Sequence, residues 1–117
     1  MKDDIRREDR GDVTVLSVPE RLDTLLSEAL DQNCTSLLDE GRFKVVIDCE
    51  RLEFLNSTVI AILVGYYQKA SKNNGDVKFA NVSIPVEDVL RLTKLDTVFK
   101  WYPNVDDAVM AFQESVP

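Results

Sequence analysis

The sequence predicts an α/β domain on a mostly parallel sheet of four to five strands with about four helices, and three observations point there. Apolar positions switch several times between a period of two and a period near 3.6. Short β-branched runs, Val45-Val46-Ile47 above all, have the unbroken apolar character of strands buried on both faces. Strand and helix patterns alternate, which implies parallel strands joined by right-handed crossovers. With 117 residues and neither repeat nor internal linker, one domain spanning 1–117 is expected.

The elements follow in order. The charged segment Asp3 to Asp12 reads as a weak edge strand turning at Gly11. Val13-Thr14-Val15-Leu16-Ser17-Val18 alternates like a strand with one face in the core. From Leu22 the period changes: Leu22, Leu25, Leu26, Ala29, Leu30, Cys34, Leu37 and Leu38 fall at helical spacing. Asp23 or Thr24 can cap that helix and Gly41 suits the left-handed residue beyond it, so it spans roughly 24–39. Phe43 to Cys49 is a buried strand, and a loop from Glu50 to Leu55 leads into a helix from about Ser57 to Lys72. Asn73-Asn74-Gly75-Asp76 stops it. Val77-Lys78-Phe79-Ala80 is a third inner strand, and Ser83 and Pro85 open a helix carrying Val86, Val89, Leu90 and Thr93 on one face. Val98 to Tyr102 is a short last strand, with Trp101 and Tyr102 as core or edge packing. Asn104 followed by Asp107 resembles a capping box for a final helix whose Val105, Ala108, Val109 and Phe112 face inward.

Composition narrows the function. The formal charge is −7, which repels phosphate backbones and disfavours nucleic acid. Lacking histidine, the chain has neither the commonest metal ligand nor the commonest general base, which excludes a metalloenzyme or a His-dependent hydrolase. Cys34 and Cys49 fit no metal or redox spacing and read as small core residues in preference to a disulfide. Asp48, Glu50 and Glu53 lie near strand ends but have no glycine-rich phosphate loop or paired base, and read as solvated loop charges. No metal or cofactor is therefore expected. No apolar run is long enough for a membrane span, and the charged opening Met1-Lys2-Asp3-Asp4 is unlike a signal peptide, so a cytoplasmic protein is expected.

The informative stretch is Phe54-Leu55-Asn56-Ser57-Thr58-Val59-Ile60, which passes from a loop straight into a helix. Asn, Ser and Thr cap helices because their side-chain oxygens accept from the unpaired N–H groups of the first turn. Capping alone accounts for them on local sequence. The same N–H groups and the positive end of the dipole also favour an anion, so a phosphate on a hydroxyl here can be accommodated. Val59, Leu63, Tyr66 and Ala70 make one apolar face, yet Ile60, Ile62, Val64 and Tyr67 leave the first turns apolar nearly all round. That excess implies either a protein-binding patch beside the capping residues or cover by the loops Glu50–Leu55 and Asn81–Pro85.

These residues bring in a family. The chain resembles, over nearly its whole length, the STAS domain of anti-sigma factor antagonists, the bacterial partner-switching regulators. The resemblance is carried by Val13-Thr14-Val15-Leu16, Glu20-Arg21-Leu22-Asp23, Val45-Val46-Ile47-Asp48, Phe54-Leu55-Asn56-Ser57-Thr58, Asn74-Gly75-Asp76-Val77-Lys78-Phe79 and Val89-Leu90-Arg91-Leu92-Thr93-Lys94-Leu95-Asp96, in that order and spacing. It implies a non-enzymatic protein whose Ser57, or less readily Thr58, is phosphorylated by an anti-sigma factor that is also a serine kinase. Asp23, Asn56, Ser57, Thr58, Ile60 and Val64 would meet that partner. The unphosphorylated form would bind the kinase and free a sigma factor, the phosphorylated form would let go, and a phosphatase would reset it. A monomer or weak dimer is expected.

Two positions depart from the family's usual Asp-Ser-Ser/Thr-Gly: Asn56 removes a charge and Val59 is expected to crowd the first turn where a kinase approaches. A constitutive binder, such as the STAS subunit of a lipid-transport ATPase or a stress-signalling complex, fits the same residues. A small nucleotide-binding enzyme using Asp23 or Asp48 is a third reading without a phosphate loop to support it.

Overall fold

A computed structural model describes residues 5–114. Seven strands and four helices follow one another as β1 (Arg6–Arg10), β2 (Val13–Ser17), β3 (Arg21–Leu22), α1 (Thr24–Asp39), β4 (Lys44–Asp48), β5 (Phe54–Leu55), α2 (Ser57–Ser71), β6 (Asp76–Ala80), α3 (Ile84–Leu92), β7 (Lys100–Tyr102) and α4 (Val105–Glu114). A 3-10 turn, Leu95–Thr97, precedes β7. The main sheet has the order β1-β2-β4-β6-β7, so β1 lies at an edge as expected, antiparallel to β2, and every other pairing is parallel. β3 and β5 form a separate two-stranded parallel ribbon that the sequence pattern does not show.

The expected residues make the termini. Asp23 caps α1, accepting from the N–H groups of Leu25 and Leu26. Gly41 takes the left-handed conformation at φ 74°, and the N–H groups of Gly41 and Arg42 bond back to Leu38 and Leu37. Ser83 caps α3 with proline in the first turn, and Asn104 Oδ1 accepts from the Asp107 N–H at 2.8 Å. The part of the Asp3–Asp12 segment before Ile5 lies outside the described residues.

Each inner strand is buried on both faces, and the two faces feed different cores. Leu16, Val45, Ile47, Val77 and Phe79 pack under α1, α2 and α3 in the main core. Val13, Val15, Val46 and Ala80 pack under α4, against Ala108, Val109 and Phe112. Lys78 is buried on that second face, where its Nζ lies 3.2 Å from Asp76 and 4.8 Å from the Phe112 ring centre, so the charge is paired and the stem packs. At the edge, Arg7 bonds Glu40 and Asp9 at 2.7 and 2.9 Å, and these bonds hold both carboxyls below their usual range. Arg42 donates to Thr14 Oγ1 and to the Gly11 carbonyl at 2.7 and 2.8 Å, fastening the β1–β2 hairpin to the α1–β4 turn.

Two glycines test the packing in opposite directions. A Cβ on Gly75 would collide with the Phe43 carbonyl at the start of β6, whereas one on Gly65, inside α2, would meet nothing within 4 Å. Gly75→Ala should therefore cost ~1–3 kcal/mol by forced displacement. Gly65→Ala should add up to ~1 kcal/mol from helix propensity. Urea unfolding of both variants checks the pair, and equal effects would contradict this packing.

Candidate functional site

Because β2, β4 and β6 run parallel, the helix after each begins at the same end of the sheet. The centre of that end is the start of α2. Asn56 is extended (φ −108°, ψ 175°), its Oδ1 accepts from the Val59 N–H at 3.0 Å, and its carbonyl accepts from the Ile60 N–H at 3.2 Å. Ser57 and Thr58 are then the first two helical residues, both exposed. Among the described residues neither hydroxyl is hydrogen-bonded, and the two backbone N–H groups have no acceptor. An exposed hydroxyl thus stands beside free donors at the positive end of a helix dipole, an arrangement that can hold a phosphate.

Asp23 belongs to the same place. Leu22 pairs with Leu55 in the β3–β5 ribbon, so the residues that follow, Asp23 and Asn56, come out level, each capping its helix. Ile60 is half exposed and outside the core contacts, while Val64 is half-buried and packed on the main core. The structure therefore brings Asp23, Asn56, Ser57, Thr58 and Ile60 together at one end, and sets Val64 a further turn along α2.

Three expectations change. The apolar excess of α2 is mostly absorbed: Ile62, Val64 and Tyr67 pack against the main core, and Tyr67 meets Phe99 edge-on with centroids 5.6 Å apart. Helix α1, lying alongside, adds to the cover, with Leu52, Leu55 and Val82 of the two loops in the same core, and leaves a groove of about 310 Å³ lined by Thr58, Ile62 and Tyr66 of α2 and Asp31, Cys34 and Leu38 of α1. Val59 does not crowd the approach, because its side chain is fully buried and points into the core. Asp48 is no solvated loop charge either. At the end of β4 it accepts from Ser17 Oγ (3.3 Å), Asn81 Nδ2 (3.0 Å) and the Glu50 N–H (3.1 Å), tying the ends of three strands together.

The sequence pattern misses one feature of this end. Leu25, counted among the helical apolar positions, is 79% exposed, Ile84 at the start of α3 is 73% exposed, and Phe54 is 39% exposed. Arg21 lays its guanidinium 4.4 Å above the Phe54 ring. Leu25 follows Thr24 directly after the cap, off the buried stripe of Ser27, Leu30, Cys34 and Leu37. That offset is the signal that distinguishes it. Cys34 and Cys49 are both buried and free, and burial pushes the Cys34 thiol up to about 12. Among the described residues no group of His, Cys, Asp and Glu could hold a metal ion, and no helix is long and apolar enough to cross a membrane.

A mostly parallel sheet with an antiparallel first edge strand, covered by helices on both faces, places the chain in the α/β class. The chain is a member of the STAS domain family, whose model matches residues 4–108. An anti-sigma factor antagonist from Mycobacterium paratuberculosis is 31% identical with a TM-score of 0.83, covering 94% of this chain and 93% of that one. A STAS-domain anti-sigma-factor antagonist from Planctomyces limnophilus is 28% identical with a TM-score of 0.82, covering 92% and 96%. The Bacillus cell fate determinant SpoIIAA in its phosphorylated form shares the fold at 16% identity and a TM-score of 0.75, covering 92% and 98%.

The cap itself is open to measurement. Asn56→Ala should lower stability by ~1 kcal/mol, the usual cost of removing an N-cap acceptor, with the loss confined to α2. Hydrogen exchange at the Val59 and Ile60 amides would locate it, and unchanged protection there would refute the capping role.

Proposed function

We propose that this protein is a partner-switching regulator: an anti-sigma factor antagonist that binds an anti-sigma factor with serine kinase activity, and is released when Ser57 is phosphorylated. One observation carries the proposal. Ser57 presents an exposed, unbonded hydroxyl at the first position of α2, beside the free N–H groups of Ser57 and Thr58. The same donors would hold the phosphate that the reaction leaves, adding about −1.5 to −2 charge without unwinding the helix. Asn56 fits this role despite its missing charge, because its amide oxygen supplies the cap and a neutral neighbour does not repel the incoming phosphate.

Ser57 is preferred to Thr58 on position. Thr58 lines the groove against α1, whose wall carries the Asp31 carboxylate, whereas Ser57 lies outside that groove. The partner surface would take in Asp23 and Asn56 beside the acceptor and continue along α2 through Ile60 and Val64. In this reading the protein works in the bacterial cytoplasm as a regulator of transcription, a phosphatase returns it to the binding form, and no step requires catalysis by the chain itself.

The test is a phosphorylation assay with the anti-sigma kinases encoded in the same genome. Wild type and Thr58→Ala should gain one phosphate by intact-mass spectrometry and Ser57→Ala none. If wild type gains no phosphate with any such kinase and carries none when isolated from cells, the switch is wrong and a constitutive STAS subunit of a larger complex is left.

A further inference from the structure

The two edges of the main sheet are built differently. At one edge every residue of β1, from Arg6 to Arg10, is charged, a composition that keeps further strands away. The other edge is β7, Lys100-Trp101-Tyr102, with one charge and two half-exposed aromatic residues. Within a parallel pair the N–H and C=O of one residue point to the same side, and successive residues alternate. Tyr102 faces β6, its carbonyl accepting from the Asn81 N–H at 3.2 Å. Trp101 therefore turns its N–H and C=O outward, and among the described residues neither is bonded. Lys100 is exposed, and its ammonium has no hydrogen bond or ion pair among those residues either. Hollows of about 300 and 280 Å³ lie beside the strand, one towards Phe99 and one towards Pro103, and Trp101 and Tyr102 line both.

We propose that β7 is a self-association edge, on which a second copy of this chain adds its own β7 antiparallel about a two-fold axis through Trp101. The inference is independent of the switch at Ser57. Backbone donors and a proline select the register. Residues opposed in an antiparallel pair either both face each other or both face away, so Trp101 can stand opposite only Phe99, Trp101 or Pro103 of the second copy. Opposite Phe99 a bond is lost, because the Phe99 N–H is already given to the Leu95 carbonyl at 2.8 Å, and the same shift sets Lys100 against Lys100. Opposite Pro103 a bond is lost because proline has no N–H. Opposite Trp101 the two copies exchange both N–H···O bonds. Each Lys100 then stands across from the other copy's Tyr102 ring, an ammonium against a π-face. Lys78 of the same chain lies 5.8 Å from that ring centre, but its charge is already paired with Asp76. The three residues thus complement a second copy of themselves, a match that an unrelated extended segment makes only by repeating them. Three residues a side are few beside the roughly 1,200 Å² that stable complexes bury, and the charge of −7 on each copy opposes approach, so the dimer is weak, with a dissociation constant of roughly 0.1–1 mM.

The experiment is sedimentation velocity on the full chain from about 10 µM to about 1 mM in about 0.15 M salt, with hydrogen exchange at the Trp101 amide followed by NMR over the same range. Wild type should pass from monomer to a mixture containing dimer. Exchange at the Trp101 amide should slow as the dimer grows, while the Tyr102 amide, which already faces β6, keeps its rate. Lys100→Glu sets a carboxylate against the Tyr102 ring and should weaken association at least ~10-fold, whereas Lys100→Arg keeps a cation there and should associate within ~3-fold of wild type. Lys100 is exposed and unbonded, so both variants should melt with wild type by circular dichroism. A chain still monomeric at the highest concentration overturns the inference and leaves the edge to an extended segment of another protein. A dimer in which Trp101 exchanges as fast as in the monomer, or in which Lys100→Glu associates as tightly as wild type, places the contact elsewhere and overturns it too. None of these results bears on phosphorylation of Ser57.

Discussion

Parallel pairing is the constraint from which the rest follows. Leu16, Ile47 and Phe79 stand in one register row across β2, β4 and β6, and parallel strands can be joined only by crossovers that return the chain to the opposite end of the sheet. Helices α1, α2 and α3 consequently all start at the carboxyl end of the strands. Their caps, Asp23, Asn56 and Ser83, form one layer, and three positive dipole ends converge on one surface. The Asp23 carboxylate at the start of α1 and Glu87 in the first turn of α3 complement two of those dipole ends.

The same end is held rigid from beneath. Asp48 sits on the central strand and accepts from Ser17 on one neighbour and Asn81 on the other, with Asn81 itself in the left-handed region at φ 57°. A carboxylate bonded on three sides fixes where the loops after β2, β4 and β6 leave the sheet. The β3–β5 ribbon then sets the level of Asp23 against Asn56, with Leu22 buried beneath it and Arg21 and Phe54 outside. On the opposite face α4 closes the second core over Lys78, whose charge is paired locally with Asp76.

Much of this was legible in the sequence, for identifiable reasons. The helix limits follow from residues with a single local job: Asp23 and Asn56 as acceptors, Gly41 as a left-handed stop, and Asn104 spaced three from Asp107. Strand β4 follows from a β-branched run too apolar to face water, whereas β2, whose alternation predicts one face in the core, is buried on both because α4 covers its second face. What escaped the pattern was tertiary. A two-residue ribbon has no periodicity, so β3 and β5 are invisible until Arg21 and Phe54 are brought together. Leu25 carries the same letter as its buried neighbours, and only its offset from the Leu30–Cys34–Leu37 stripe puts it in solvent. The excess apolar character of α2 marks packing against α1 and Phe99 as well as a surface, and sequence alone cannot divide it between them. Nor does it say that Val59 points inward, which settles the steric half of the departure from the family pattern.

Asn56 and Val59 divide the first turn of α2 between two environments. Val59 is fully buried and anchors the turn in the main core, where loss of a side chain costs stability. Asn56 caps the same turn from outside, and its acceptor takes the Val59 N–H directly, so the anchor and the cap meet at one residue. Ser57 and Thr58 lie between these two fixed points with their side chains in solvent and their backbone donors unspent. A group added to Ser57 therefore finds neither a packed neighbour to displace nor a hydrogen bond to break. It perturbs the fold little and the surface greatly. That separation is what a switch needs when a partner, and not the fold, is to be released.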